Sequence, residues 1–190
     1  GSIGHRMAGH LAKAGHKLVV ADAGSTDRAP EGSTIAKSNA EVAANAETII
    51  LSLPDGKISV LVAKEIAAAP NRKAKTVVDT STIGIAAAEE AAAILKAAGV
   101  IYIDAPVSGG IAGADKATLS VMLACAEADY ERVKPIMALM GKPFHIGPRP
   151  GQGQAVKLLN NYLSGVAQAA SCEAIAFGVK QGIPMAKILE

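Results

Sequence analysis

The sequence predicts an α/β fold with a doubly wound, mostly parallel sheet. Short apolar segments alternate with segments of helical periodicity from the amino terminus to residue 146. A glycine or proline ends many of these segments, and aromatic residues make up only 3% of a chain that is 50% hydrophobic. Alternating strands and helices require crossover connections, which place the strands parallel. A core of Ala, Val, Ile and Leu suits helices packed on such a sheet.

The first half of the chain divides into four predicted helices and four predicted strands. The first helix ends at Gly15, and the strand after it closes with Asp22. The second strand is stopped by Pro54, and the Ala-rich fourth helix is closed by Gly99. The predicted helices are residues 7–14, 39–46, 58–69 and 86–98, and the predicted strands are residues 17–22, 48–53, 76–80 and 100–104.

The second half is predicted to contain a loop at residues 105–117, a strand at 118–124, a helix at 129–140 and a strand at 144–146. Two prolines and two glycines within residues 147–151 cannot continue a helix or a central strand, so we place a domain boundary there. Residues 154–180 predict a helix roughly 40 Å long, at about 1.5 Å per residue. The predicted domains are residues 1–149, an α/β domain, and residues 150–190, the interdomain helix and the start of an all-α domain.

The chain opens with Gly1-Ser2-Ile3-Gly4 before a predicted helix, and Asp22 follows 18 positions after Gly4. Glycines at such a turn let the backbone approach a pyrophosphate, and an acid about 20 residues on binds the ribose hydroxyls. This arrangement predicts the NAD-binding end of a Rossmann-type domain. That fold has its first strand in the middle of the sheet, and no residue before Gly1 supplies it. We therefore expect a split sheet, in a chain that is incomplete at both ends.

Four segments carry a more specific signal. They are residues 1–11 with Ala14-Gly-His, Leu53-Pro54 after a strand, Asp104-Ala-Pro-Val-Ser-Gly-Gly110, and Gly151-Gln-Gly-Gln-Ala-Val-Lys-Leu-Leu-Asn-Asn161. In this order and approximate spacing they resemble the 3-hydroxyisobutyrate dehydrogenase, or β-hydroxyacid dehydrogenase, family. The resemblance covers essentially the whole chain, and the last two segments together are hard to produce by chance.

The resemblance implies a role for each of these segments. Lys157 corresponds to the family's catalytic acid/base, and Asn161 to an asparagine that positions the substrate. The family binds the substrate carboxylate with the loop that matches Ser108, Gly109 and Gly110. Leu53, Pro54 and Thr82 match positions that line the nicotinamide side of the cofactor.

The residue chemistry agrees with these roles, although each residue also has an ordinary structural explanation. A lysine beside a reacting hydroxyl can accept its proton and stabilise the developing alkoxide, and burial lowers a lysine pKa toward the range that a base needs. Consecutive glycine amides form a nest of anion-binding N–H groups. The structural alternatives are a solvated helical lysine, a flexible Ser-Gly-Gly turn, strand termination at Pro54 and helix capping by Ser81 or Thr82.

Charge and composition exclude several other classes. A net charge of +2 without a run of like charges, and few aromatic residues, predict no nucleic-acid partner. No apolar run approaches the ~20 residues of a membrane span, so no membrane partner is expected. The four histidines never combine with a carboxylate or thiol at metal-ligand spacing, so no metal is expected. Cys125 and Cys172 are isolated thiols, which indicates a reducing, cytoplasmic setting.

Tyr130 and Lys134 have the Tyr-x-x-x-Lys spacing of the unrelated short-chain dehydrogenases. Their predicted helix carries apolar residues at core spacing, and Pro135 interrupts it directly afterwards. The glycine loop also lacks the form which that family uses. We therefore interpret the two residues as an ordinary surface pair on an amphipathic helix.

The leading hypothesis is an oxidoreductase that transfers a hydride between NAD and a small 3-hydroxy acid or its semialdehyde, with NADP as a possible cofactor. The alternatives are a catalytically silent NAD-binding or oligomerisation module, an imine, glyoxylate or succinic semialdehyde reductase using NADPH, and a decarboxylating sugar-acid dehydrogenase. The expected partners are a carboxylic acid substrate and further copies of the chain, as a homodimer or homotetramer. Arg6 and Arg28 are the residues that would favour NADP.

Overall fold

A computed structural model describes residues 1–190 and contains eight helices and eight strands. The helices are α1 (Gly4–Lys13), α2 (Asn39–Asn45), α3 (Gly56–Ala67), α4 (Ile85–Ala97), α5 (Gly110–Asp115), α6 (Glu127–Ala138), α7 (Gln152–Lys180) and α8 (Met185–Leu189). The strands are β1 (Val19–Val20), β2 (Thr34–Ile35), β3 (Thr48–Leu51), β4 (Thr76–Asp79), β5 (Ile101–Asp104), β6 (Val107–Ser108), β7 (Leu119–Ala124) and β8 (Gly141–Gly147). The predicted alternation of helices and strands is confirmed.

The strands form two sheets. β1 and β2 pair in parallel as a two-stranded sheet, whereas the other six form a second sheet in which β3, β4 and β5 are parallel neighbours. β7 lies beside β5 through the antiparallel pair Asp104 and Ala124, and it also pairs antiparallel with β6 and parallel with β8. Parallel pairs therefore dominate, as the sequence predicts.

Successive residues of the central strands enter two different apolar clusters. Val77 and Tyr102 pack in one cluster with helices α2, α3 and α4, whereas their neighbours Val78 and Ile103 pack in the other with α1 and α6. Side chains alternate between the two faces of a strand, so this division shows that both faces of the sheet are covered. The doubly wound fold class is confirmed.

Several element boundaries differ from the sequence prediction. Residues 105–117 are not a loop but contain β6 and α5, and the strand at Thr34–Ile35 was not predicted. These elements have two to six residues, too few for a hydrophobic period to show. The last strand, β8, begins at Gly141 instead of residue 144, and its only pairing partner is β7, so Pro143 lies on an edge strand, where a missing N–H is tolerated.

Tyr130 is buried and is therefore not part of a surface pair. Its ring stacks on His145 at a centroid distance of 4.8 Å, and its hydroxyl donates to the Pro143 carbonyl at 3.5 Å. Lys134 donates to Glu131 at 2.9 Å. Because these contacts orient the tyrosine hydroxyl toward the β8 backbone, the pair has a structural explanation.

The chain divides into two compact units, residues 1–157 and residues 158–190. The first contains both sheets and helices α1 to α6. The second consists of residues 158–180 of α7 together with the whole of α8. These two helices lie close together at Gly178 and Ile188. The domain boundary at residue 149 stays a prediction.

Arg72 links the ends of two helices within the first unit. Its guanidinium donates to the carbonyls of Ala67 and Ala98, each at 2.5 Å, at the carboxyl ends of α3 and α4. We expect Arg72→Ala to lower the free energy of unfolding by about 1–3 kcal/mol, because it removes charge-assisted bonds to orphan carbonyls. Urea unfolding measures this, with Lys73→Ala on the exposed neighbour as the control, expected within about 0.5 kcal/mol of the parent. If Arg72→Ala and Lys73→Ala have equal free energies of unfolding, the stabilising role of Arg72 is contradicted.

Candidate active site

Lys157 and Ser108 form the centre of the candidate active site. The Lys157 Nζ donates to the Ser108 Oγ at 3.2 Å, although the residues are 49 positions apart. Lys157 is only 9% exposed, and this burial lowers the pKa of its ammonium below the ordinary value. The structure thus joins the predicted acid/base and the predicted substrate serine, with a lysine whose pKa moves in the direction that a base requires.

The Ser-Gly-Gly segment lies at a junction of two short elements. Ser108 ends β6, and Gly109 caps α5, which begins at Gly110. The two glycines have φ angles of 129° and 61°, in the left-handed region that other residues rarely adopt. Both are exposed, and the first amides of a helix lack intrahelical acceptors. The segment can therefore direct N–H groups at an anion beside Ser108.

Two backbone amides and one close approach anchor the start of α7, the helix that carries Lys157. The N–H groups of Gly151 and Gln154 donate to Asp104 Oδ2 at 3.0 and 3.1 Å. A Cβ added at Gly153 would lie 2.5 Å from the Met122 carbonyl oxygen and 2.9 Å from Asp104 Oδ2. Only glycine allows this approach, so the spacing of the Gly-x-Gly-x-x-x-Lys segment has a structural reason.

The predicted cofactor residues are brought together at the carboxyl ends of β3 and β4. A Cβ added at Gly4 would lie 3.2 Å from the Ser52 Cβ, so the start of α1 closely approaches the end of β3. The next residue, Leu53, donates its N–H to Ser81 Oγ at 2.8 Å. Pro54 and Thr82 are exposed at this edge. A glycine turn that closely approaches the strand ends fits a bound dinucleotide, because such crevices bind ligands in open α/β sheets.

Asp22 lies beside Gly1, at the start of the glycine turn. Its Oδ2 is 2.7 Å from the Gly1 nitrogen, and its Oδ1 accepts the N–H of Gly24 at 2.9 Å. Arg6, which also belongs to this region, donates to the Ser2 carbonyl at 2.5 Å and pairs with Asp115. Asp22 and Arg6 therefore both have partners within the chain, the carboxylate at Gly24 and the guanidinium at Asp115, and the ribose-binding role of Asp22 stays a prediction.

Asn161 lies in α7 but belongs to the second compact unit, where it is exposed. Its role in positioning substrate stays a prediction. The assignment of Lys157, Ser108 and the cofactor residues to their functions also stays a prediction, which the distances above support.

Two buried residues of the site were not assigned a role from the sequence. Asp104 and Gln154 are both 0% exposed and are joined by a hydrogen bond of 2.7 Å from Gln154 Nε2 to Asp104 Oδ1. Both stand inside segments that the sequence singles out. An acidic residue at the end of a buried apolar strand was a usable signal, because fully buried carboxylates require partners.

Within the whole chain, no three His, Cys, Asp or Glu side chains converge into a group that could hold a metal ion. No helix combines the length and the apolar character needed to cross a bilayer. Both cysteines are free thiols, buried at position 125 and exposed at position 172.

Comparison with known proteins gives two family matches that together cover nearly the whole chain. The NAD binding domain of 6-phosphogluconate dehydrogenase matches residues 1–148. A second family, described as NAD-binding of NADP-dependent 3-hydroxyisobutyrate dehydrogenase, matches residues 151–190.

Individual proteins agree with these matches. The chain is 37% identical to the mitochondrial 3-hydroxyisobutyrate dehydrogenase of Drosophila melanogaster, over 96% of this chain and 57% of the relative. It is 33% identical to 2-(hydroxymethyl)glutarate dehydrogenase of Eubacterium barkeri, over 96% of this chain and 62% of that protein. A solved structure of Mycobacterium tuberculosis 3-hydroxyisobutyrate dehydrogenase with L-serine superposes with a TM-score of 0.89 at 33% identity, covering 97% of this chain and 64% of that one. The chain thus spans about three-fifths of the length of such relatives.

Proposed function

Because this chain belongs to the 3-hydroxyisobutyrate dehydrogenase family of β-hydroxyacid dehydrogenases, we propose that the whole protein transfers a hydride between NAD and a small 3-hydroxy acid or its semialdehyde. The observation that carries this proposal is the contact of Lys157 Nζ with Ser108 Oγ at 3.2 Å. It places a buried lysine amine next to a hydroxyl that is followed by two exposed glycines. Such a set of groups can bind a carboxylate and deprotonate an alcohol.

Lys157 is the acid/base of the proposed reaction. In alcohol oxidation its neutral amine accepts the hydroxyl proton, and in the reverse direction its ammonium returns a proton to the carbonyl oxygen. Burial lowers the pKa of Lys157, so the amine is present at a lower pH than for an exposed lysine. The ammonium that forms when Lys157 accepts the proton also stabilises negative charge on the substrate oxygen.

The substrate carboxylate is proposed to bind at Ser108, Gly109 and Gly110, with Asn161 as a further contact. A hydroxyl and helix-start amides offer directional donors to an anion. The cofactor is proposed to be held by Gly1 to Gly4 at the pyrophosphate, by Asp22 at the ribose and by Leu53, Pro54 and Thr82 near the nicotinamide. When bound, NAD supplies the hydride-transfer chemistry.

Ser108→Ala is expected to raise KM for a 3-hydroxy acid by about 10- to 100-fold, the effect of losing one hydrogen bond to a charged group. An uncharged alcohol analogue of the same size is the control, and its KM is expected to change much less. Steady-state kinetics with both compounds measure this difference. Equal changes for the two compounds would remove the carboxylate role from Ser108.

NAD is expected to be preferred over NADP by at least about tenfold in kcat/KM, because Asp22 repels a 2′-phosphate. At ~5 Å and an effective dielectric near ~20, each unit-charge pair costs roughly 3 kcal/mol before screening. Asp22→Asn is expected to narrow the ratio mainly by improving NADP.

Asp27→Asn, an exposed acid in the same segment, is the matched control for Asp22→Asn and is expected to leave the cofactor ratio unchanged. A parent enzyme that prefers NADP tenfold would overturn the assignment of Asp22. Arg28 would then be the first residue to test as a phosphate ligand, since Arg6 is paired with Asp115.

A spectrophotometric panel tests the proposed function directly. It comprises 3-hydroxyisobutyrate and 3-hydroxypropionate with NAD and NADP in their oxidised forms. Glyoxylate, succinic semialdehyde and a cyclic imine are assayed with the reduced forms of both cofactors. Oxidation of a 3-hydroxy acid supports the proposal. Turnover of the imine alone would favour the imine reductase alternative, and binding of dinucleotide without any turnover would favour the silent module. The homo-oligomeric state and the cytoplasmic location are proposals that rest on the family and on the two free thiols.

A further inference from the structure

Gln154 is a polar side chain with no exposure, yet every hydrogen-bonding position of its amide is used. Oε1 accepts the N–H groups of Ile83 and Gly84 at 2.9 and 3.1 Å. Nε2 donates to the Ser81 carbonyl at 3.0 Å and to Asp104 Oδ1 at 2.7 Å. A flipped amide would set donor against donor at Ile83 and Gly84, so these partners fix its orientation.

These four bonds connect the segments that make up the candidate site. Residues 81–84 follow β4 and include Thr82 of the proposed nicotinamide side, and Ser81 also accepts the N–H of Leu53. Asp104 ends β5 and begins the segment that leads to Ser108. Gln154 itself stands in the first turn of α7, one helical turn before Lys157. A single side chain therefore links the cofactor segment, the substrate segment and the lysine helix.

Asp104, at the carboxyl end of β5, binds the first turn of α7. Its two oxygens accept three N–H groups, from the Gln154 side chain, the Gln154 backbone and Gly151. Burial raises the pKa of Asp104, and the three donors oppose that rise by stabilising the carboxylate. A negative charge at the first turn of a helix is also favoured by the helix dipole. The pair thus combines an acceptor fixed to the sheet with a donor fixed to α7.

We propose that Asp104 and Gln154 are positioning residues, which act together to hold Lys157 in register with Ser108 and with the cofactor segment at residues 81–84. This inference rests on the proposed function. Neither side chain touches the reacting atoms, so both act through the placement of the lysine amine. A displacement of about 1 Å at a reacting group can lower a rate by about 10²-fold.

Exchanging the donor and the acceptor tests the pair. Asp104→Asn places the side-chain amides of positions 104 and 154 next to each other, so the single pairing of a donor with a carboxylate is lost. Gln154→Glu places two carboxylates about 2.7 Å apart. The double variant restores one donor facing one acceptor, keeps Oε1 of residue 154 toward Ile83 and Gly84, and keeps one net charge. The bond to the Ser81 carbonyl is lost and becomes a contact between two acceptor oxygens, a cost that the double variant shares with Gln154→Glu. We expect each single variant to lose at least 30-fold in kcat, and the double variant to regain at least tenfold over the weaker single variant.

The kinetic comparison is made per folded site, counted by the stoichiometry of dinucleotide binding to the whole enzyme. Unchanged dinucleotide Kd with reduced kcat per site supports the proposal. Parental kcat per site, with only fewer folded molecules, would overturn it and leave both residues a structural role. A double variant no better than the weaker single variant would overturn the pairing.

A second measurement does not depend on turnover. Lys157 is acetylated in brief pulses across a pH series and quantified by peptide mass spectrometry, with exposed Lys17 as the internal reference. When the lysine loses its buried position, its pKa rises toward the ordinary value, so the midpoint of labelling moves to higher pH in both single variants. The double variant is expected to move it back. An identical midpoint in all four proteins would overturn the inference even if the enzyme is active, whereas an inactive parent with the expected shifts would overturn only the proposed function.

Discussion

Lys157→Ala is expected to lower kcat/KM for a 3-hydroxy acid by about 10²- to 10⁴-fold, of order 3–5 kcal/mol in the barrier, which is typical of losing a general acid/base. The dinucleotide Kd is expected to stay unchanged, because Lys157 contacts Ser108 and not the glycine turn. Steady-state kinetics and a dinucleotide titration measure the two quantities on one preparation.

Two further variants define the origin of this loss. Lys157→Arg keeps the positive charge but replaces an amine whose pKa is lowered by burial with a guanidinium that stays protonated, so it is expected to be nearly as inactive as the alanine variant. Lys134→Ala removes a half-buried lysine that pairs with Glu131, and parental kinetics are expected. If Lys157→Ala keeps most of the parental kcat, the proposed mechanism is wrong.

Gly153→Ala is expected to lower kcat by about 10²-fold, because the added methyl displaces the helix that carries Lys157. The carbonyl of Met122 and the carboxylate of Asp104 lie 2.5 and 2.9 Å from the position of the new Cβ, and the first of these is backbone that cannot rotate away. Crowding of this kind also costs about 1–3 kcal/mol of stability. Kinetics per folded site separate the two effects.

Gly165→Ala is the matched control, since Gly165 stands in the same helix with nothing within 4 Å of an added Cβ. Alanine in an open helical position is expected to add about 0.5–1 kcal/mol to stability and to leave kcat unchanged. If the two variants behave alike, the close approach at Gly153 does not place Lys157.

The long elements of this fold were predictable because a hydrophobic period extends over several turns or over a whole buried strand. Helix α7 and the strands β3 to β5 are examples, since their apolar runs are bounded by glycine, proline or aspartate. The two-residue strands and the short helix α5 were not predictable. Their backbone is set by pairing with distant residues, as Ser108 pairs with Ser120, and this information is absent from any local window.

The sequence pointed to Lys157 and Ser108 of the candidate site, but it did not point to the buried residues Asp104 and Gln154 that lie behind them. Lys157 and Ser108 stand in segments that resemble a known family, and their chemistry fits the reaction without knowledge of distances. The function of Asp104 and Gln154 depends on which groups meet them in space, across 50 residues of chain for their mutual bond. A sequence shows that a buried polar residue needs a partner, but it does not show which partner satisfies it.

The burial of Asp104 has a consequence for how the protein is made. During synthesis, β5 leaves the ribosome before residues 151–154, which supply all three N–H donors to this carboxylate. Until they arrive, the charge is stabilised only by water, since burying an unpartnered carboxylate is too costly. The carboxyl end of β5 in the nascent chain therefore stays hydrated until the first turn of α7 docks. The sheet can form early, but the Asp104 carboxylate leaves water only when the first turn of α7 is in place.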